Sequence, residues 1–238
     1  MDRRGRSGRA RGDNVPNRRN LWMYLRSIPT SLQFNLAYLP FHRAIRLPVL
    51  VSHRVWLARL NGSIDLPDDA RLGSVRIGFG SIGLFDGQRS RSVWKVDGRV
   101  VFRGRAWVGH GSRIVVEGDG VLTFGADFRI TAESTIYAVK AITFGDEVLM
   151  SWQIQVMDSD GHPIIDEEGC LSNPDQEVVV GDHVWIGSRA TIVKGVRVPD
   201  GSVVAAGAVV AGQFHEPGVM LAGVPATVIR HGITWRVR

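Results

Sequence analysis

The chain has 238 residues, a hydrophobic share of 44%, 28 glycines and a single cysteine, Cys170. That length buries a sizeable core in one large or two small domains, while one cysteine excludes an internal disulfide framework and a cysteine-based zinc site. The charge of +6 is uneven: residues 1–60 hold 12 Arg against Asp2 and Asp13 (+10), and the remainder holds 17 basic and 21 acidic side chains (−4), which excludes a nucleic-acid groove there.

Residues 1–20 are Arg/Gly-rich without apolar pattern, and disorder is expected. Residues 21–71 interleave Trp22, Tyr24, Phe34, Tyr38, Phe41 and Trp56 with Arg26, Arg43, Arg46, Arg54 and Arg59. Pro29, Pro40 and Pro48 divide this stretch, leaving short helices over 30–39 and 41–47. It reads either as a cap sealing the start of the domain downstream or, over 21–60, as a peripheral contact with an anionic membrane. No signal-peptide pattern opens the sequence and no apolar run approaches the length of a bilayer span, so a cytoplasmic location is expected.

Residues 72–212 carry a six-residue beat. Val180, Ile186, Ile192, Val198, Val204 and Val210 fall six apart, and small or β-branched residues stand two positions before each: Val178, Val184, Ala190, Val196, Ser202 and Ala208. Six suits neither a 3.6-residue helix nor plain alternation. It suits a solenoid of short strands joined by tight corners. The beat is fainter upstream, at Ile77, Phe102, Val108, Ile114, Phe124, Ile130, Ile136, Phe144, Met150 and Val156.

The largest interruption is 157–177, and in a regular solenoid a long loop is where function concentrates. It carries His162 between Gly161 and Pro163, with Asp158 and Asp160 just upstream. An imidazole is suited to take a proton near neutrality, and a nearby carboxylate can orient it. An isolated GHP would ordinarily be a surface turn; its place at the interruption favours function. Residues 213–238 leave the beat and are expected to return over the open end of the solenoid.

The run VVVGDHVWIGSRATIVKGVRVPDGSVVAAGAVVAGQF…LAGVPATVIR resembles the hexapeptide-repeat acyltransferases, over roughly 72–230. FGDEVLMSWQIQVMDSDGHPI is similar to the branch that acetylates sugars of cell-surface polysaccharides. The resemblance implies an all-β, left-handed parallel β-helix and acetyl-CoA, or another acyl-CoA, as co-substrate. It implies homotrimers with sites between subunits and a sugar or glycolipid acceptor. His162 matches the general base, oriented by Asp158 or Asp160. Trp185 and Ser188 match positions lining the coenzyme A channel, Ala206 and Ala208 places where backbone runs beside the pantetheine arm, and Arg230 a basic residue near the nucleotide phosphates.

Two departures concern the phosphates: the family usually has Thr-Lys-Asp where Ala211, Gly212 and Gln213 stand, and often a basic residue at Thr227. Arg189, Lys194 and Arg197 either compensate or are solvated charges. Trp152 either lines the acceptor pocket or covers an apolar seam, and Cys170 reads as incidental. No metal is expected, because the two-plus-one spacing of a three-histidine zinc site is missing around His110, His162 and His183. Two other readings stay open: N-acylation of an amino sugar, and a non-catalytic scaffold or carbohydrate-binding module.

Overall fold

A computed structural model describes residues 18–87 and 89–237, so most of the Arg/Gly-rich tail lies outside the described residues. From Val49 to Val210 the chain winds through three parallel sheets, visited in turn. We call them A, B and C. One coil runs Leu149–Trp152 in A, Gln155–Met157 in B and Val178–Val180 in C, then Trp185–Ile186 begins the next in A. Each strand pairs in parallel with its counterpart one coil away. The molecule is a left-handed parallel β-helix of triangular section, with corners A/B, B/C and C/A.

Each hexad supplies two inward residues. The column from Val180 to Val210 is buried, and so is the column two positions before it, from Val178 to Ala208, as strand alternation requires. The beat is strict only where a coil has 18 residues, as from Ile186 to Val204; Ile130 to Met150 spans 20 and Val108 to Ile130 spans 22. The wider coils use strands of four or five residues where the later ones use two. Their larger interior holds Phe102, Phe124 and Phe144, stacked at centroid spacings of 5.2 and 6.0 Å. Glu133, Gln153 and Arg189 turn the A/B corner in the left-handed region, with φ of 52°, 57° and 60°. Gly207 takes over that role one coil later, without a side chain to hold clear of the turn.

The N-terminal segment differs from expectation. The solenoid starts at Val49 rather than at 72, because Val49–Val51, Val55–Leu60 and Ser63–Asp65 already form a full coil. Helix α1 runs unbroken from Arg18 to Tyr38, so its first residues come from the segment expected as tail, and it passes through Pro29. Pro29 is exposed, so the Leu25 carbonyl it leaves without an intrahelical donor lies on the solvent side. Helix α2 (Phe41–Ala44) stops short of residue 47, where Leu47 takes φ 48° ahead of Pro48.

Helix α1 covers the N-terminal edge with polar side chains. Asn35 accepts from Val49 N (3.3 Å) and donates to Val49 O (2.7 Å). Ser31 accepts from Val51 N (2.8 Å) and donates to Val51 O (3.2 Å), and His53 N donates to Ser27 Oγ (3.1 Å). Positions i, i+4 and i+8 of the helix thus satisfy alternate residues of an edge strand that would otherwise be open. Phe34 enters the core between Tyr38 and Trp94.

At the other end Met220–Gly223 continues sheet A, and Ala226–Arg230 folds back antiparallel to it. The last residues then run back along the C/A corner rather than only over the end. There Trp235 stacks on His183 at 4.5 Å and donates to its carbonyl at 2.7 Å. No described helix is long and apolar enough to cross a membrane.

Candidate active site

The 157–177 excursion leaves sheet B after Met157 and rejoins the solenoid at Val178 in sheet C, so it stands on the B/C corner. Its neck is closed by Gln176 N donating to Asp158 O at 3.0 Å. Its outer part is a small hairpin in which Ile165 bridges Leu171, and Asp166 accepts the N–H groups of Glu168 and Cys170 at the tip. Exposed His162 borders a cleft of about 260 Å³ between this hairpin and sheet B, with Tyr137, Val139, Ser159, Leu171 and Asn173 around it.

Neither aspartate bonds the His162 imidazole. Asp158 is fully buried and accepts from Val139 N (2.8 Å) and Lys140 N (2.9 Å), anchoring the neck to the preceding coil. Burial raises its pKa against the pull of those N–H groups. Asp160 accepts from Lys194 Nζ at 2.6 Å and from Asn173 Nδ2 at 2.8 Å, and those two bonds hold its carboxyl below the usual range. Lys194 also donates to Asn173 O at 2.8 Å, and Asn173 Nδ2 donates to His162 O at 3.0 Å. The histidine is therefore held through its backbone by Asn173, and Asn173 is held to the next coil by Lys194. Sequence reasoning, which leaves Lys194 between phosphate ligand and solvated charge, misses this clamp; Asp160 and Lys194 are 34 apart in sequence and meet only after a full coil.

The residues matched to the cofactor lie elsewhere on the prism. Trp185 is on sheet A, 37% exposed, its indole donating to Ser151 Oγ at 3.1 Å. Trp152 ends the neighbouring strand of sheet A, and Ser188 and exposed Ala206 sit on the A/B corner beyond it. Beside Ala206, a Cβ placed on Gly207 would meet nothing within 4 Å, so this corner is low and open. Ala208 departs from expectation: it points into the core, and its N–H and C=O are engaged by Ala205 and Thr191. Arg230 is exposed on the last strand of sheet A. Of the three cations, only Arg189 shares the A/B corner; Lys194 is at B/C and Arg197 on sheet C.

His110, His162 and His183 occupy the A/B, B/C and C/A corners respectively, so one chain does not converge them. His110 is 2% exposed, and neither ring nitrogen has a hydrogen-bond partner among the described residues. His183 lies between Glu147 Oε2 (3.1 Å) and Trp235 O (3.2 Å).

Residues 177–211 match the hexapeptide repeat of succinyl-transferase. The chain is 28% identical over 144 residues to a putative lipopolysaccharide biosynthesis O-acetyl transferase of Escherichia coli, covering 56% of this chain and 72% of that one. It is 35% identical over 109 residues to the galactoside O-acetyltransferase of Escherichia coli, covering 44% of this chain and about half (52%) of the relative. The solved polysialic acid O-acetyltransferase OatWY aligns over 80% of this chain and 89% of its own, at 18% identity and a TM-score of 0.46. Both hexad columns are buried, as the hexapeptide repeat matched at 177–211 requires, and the relatives to which the chain is similar are named as O-acetyltransferases.

Proposed function

We propose that this protein is a coenzyme A-dependent O-acyltransferase, acetyl being the expected group, acting on a sugar hydroxyl of a cell-surface polysaccharide or glycolipid precursor at the cytoplasmic side. The observation that carries the reading is the braced B/C excursion, which presents an exposed imidazole over a cleft. Relatives named as lipopolysaccharide-biosynthesis and galactoside O-acetyltransferases supply the acceptor class.

His162 takes the acceptor hydroxyl proton on one ring nitrogen as the oxygen attacks the thioester carbonyl, and returns it to the departing sulfur. General-base help of this kind is worth roughly 10²–10⁴-fold. Bound acyl-CoA supplies the activated thioester. Ala206, Ser188 and the open surface at Gly207 fit a long thin arm, with the Trp185 indole beside it. Arg189 and Arg230 are exposed cations on that side, with Arg129 exposed further along sheet A.

His162 at corner B/C and the groove residues on sheet A and corner A/B do not face one another across a single prism. A site made of both sets needs two chains, and a closed three-fold arrangement supplies three equivalent sites. Co-expressing a His162→Ala chain with an Ala206→Trp chain tests this directly. Each variant alone is expected to be inactive in acetyl-CoA transfer to a panel of sugar and amino-sugar acceptors, read by mass shift. Random mixing returns activity to about a quarter of wild type when each site draws on two chains. Mixed assemblies without activity, although His162→Ala still binds coenzyme A by calorimetry, place the site within one chain. Normal turnover in His162→Ala overturns the assignment itself.

A further inference from the structure

Helix α1 is amphipathic in the inverted sense. Its buried arc is Ser27, Ser31 and Asn35 with Phe34, fixed by the side-chain ladder to Val49, Val51 and His53. The adjacent arc carries Leu21, Trp22, Leu25, Ile28, Leu32 and Leu36, all between 37% and 68% exposed. At about 100° per residue these side chains form one stripe roughly 120° wide, on a helix about 30 Å long. Single exposed leucines are ordinary; a continuous stripe of this length marks a surface that meets something. The helix cannot roll to bury it, because rolling would orphan the edge strand of sheet A.

Charge selects the occupant. From Asn14 to Ile64 there is no acidic side chain; Arg26, Arg46 and Arg54 lie in that span besides Arg43 and Arg59, which pair with Asp68 and Asp97, and the 17 residues preceding the helix add Arg3, Arg4, Arg6, Arg9 and Arg11 against Asp2 and Asp13. A second copy docked on this face would bring like charge against like charge, with only Asp2 and Asp13 of each copy's first 64 residues to pair it. An anionic lipid surface instead takes both components: the apolar stripe sinks to the acyl boundary and the arginines neutralise headgroups. Trp22, near the start of the helix, belongs to the residue type that favours that boundary. We infer that α1 is an in-plane membrane anchor for acidic lipid, one face capping the β-helix and the other lying on the bilayer. The acyl-transfer reading is not needed for this.

Flotation of the full chain with phosphatidylcholine vesicles containing about one-third phosphatidylglycerol tests it. The chain is expected to float with them, to float at least about tenfold less with pure phosphatidylcholine, and to be released by high salt. The Leu25→Glu/Leu32→Glu variant is expected to lose flotation about tenfold or more while keeping its far-ultraviolet spectrum and melting temperature. Equal flotation of that variant, or none of the wild type, overturns the inference. So does a change in the variant's sedimentation without vesicles, which would make the stripe a contact between copies. Should the variant not fold, Leu25→Cys in a Cys170→Ser background carries an environment-sensitive dye; a blue shift on acidic vesicles supports the anchor, and an unchanged spectrum overturns it.

Discussion

Two of the excursions that break the solenoid are each associated with a histidine. Residues 80–91 leave the A/B corner and pack Phe85 and Gly87 against His110, which belongs to the next coil. That histidine is sealed, and neither of its ring nitrogens has a hydrogen-bond partner among the described residues. Residues 157–177 instead leave the B/C corner and carry their histidine outward, with its backbone clamped and its ring open. Interruption of a repeat therefore does not by itself make a site. What distinguishes the two is where polar groups are spent. Asn173 and Lys194 hold the backbone of His162 and leave its ring open, whereas Arg54 and Ser90 brace the 80–91 excursion through Gly87 and Glu133 and neither ring nitrogen of His110 has a hydrogen-bond partner among the described residues.

The largest expected effect comes from that contrast. His162→Ala should lower the transfer rate roughly 10²–10⁴-fold with an unchanged melting temperature, whereas His110→Ala should lower the melting temperature and leave the rate per folded molecule intact. Equal rate losses from both would erase the distinction. Next is the clamp. Lys194→Met should reduce kcat about ten- to a hundredfold through misplacement of the loop, with the KM for acetyl-CoA unchanged and partial rescue in Lys194→Arg. The clamp depends on pH with a definite sign. Because the Asp160 pKa is depressed in the folded chain, its contribution is present above the ordinary carboxylate range and is lost as pH falls through the lowered value. The extra acid sensitivity of the wild-type loop, read by limited proteolysis at 158–177, should be absent in Asp160→Asn. Asp158→Asn acts on stability instead: one amide cannot accept both Val139 N and Lys140 N, and the loss should be about 1–3 kcal/mol by urea denaturation.

How far each part is legible in the sequence depends on the same geometry. The strict beat of Val180 to Val210 is readable because two-residue strands and fixed corners make a coil of 18, three hexads. Longer strands spoil that arithmetic upstream, and in the first coil the single step from Val49 to Val55 is followed by Asn61, so no run of hexads marks it. Helix α1 reads as shorter because Pro29 is a breaker by rule, and its orientation is unreadable because amphipathic patterns are normally read apolar-side inward. The break in the beat locates His162. Nothing comparable locates Lys194 and Asn173, since nothing local to either announces a partner across a coil.

The smallest effect tests the sealed side of the comparison. Burial lowers the His110 pKa below its ordinary 6.5, with Arg54 adding to that and Glu133 opposing it. An unfolded histidine takes its proton near 6.5, and folded His110 does so only at a lower pH. The unfolded state therefore gains protons first, and stability falls as pH drops from about 6.5 toward the lowered value, then levels off. His110→Leu keeps most of the volume, removes two ring nitrogens without partners, and removes this titration. It should be stabilised by up to about 2 kcal/mol near neutrality and should have a flatter stability profile below pH 6.5. Urea denaturation across that range measures both. A profile parallel to wild type would mean that folded His110 takes its proton as readily as the unfolded residue does, and that the 80–91 excursion does not seal it.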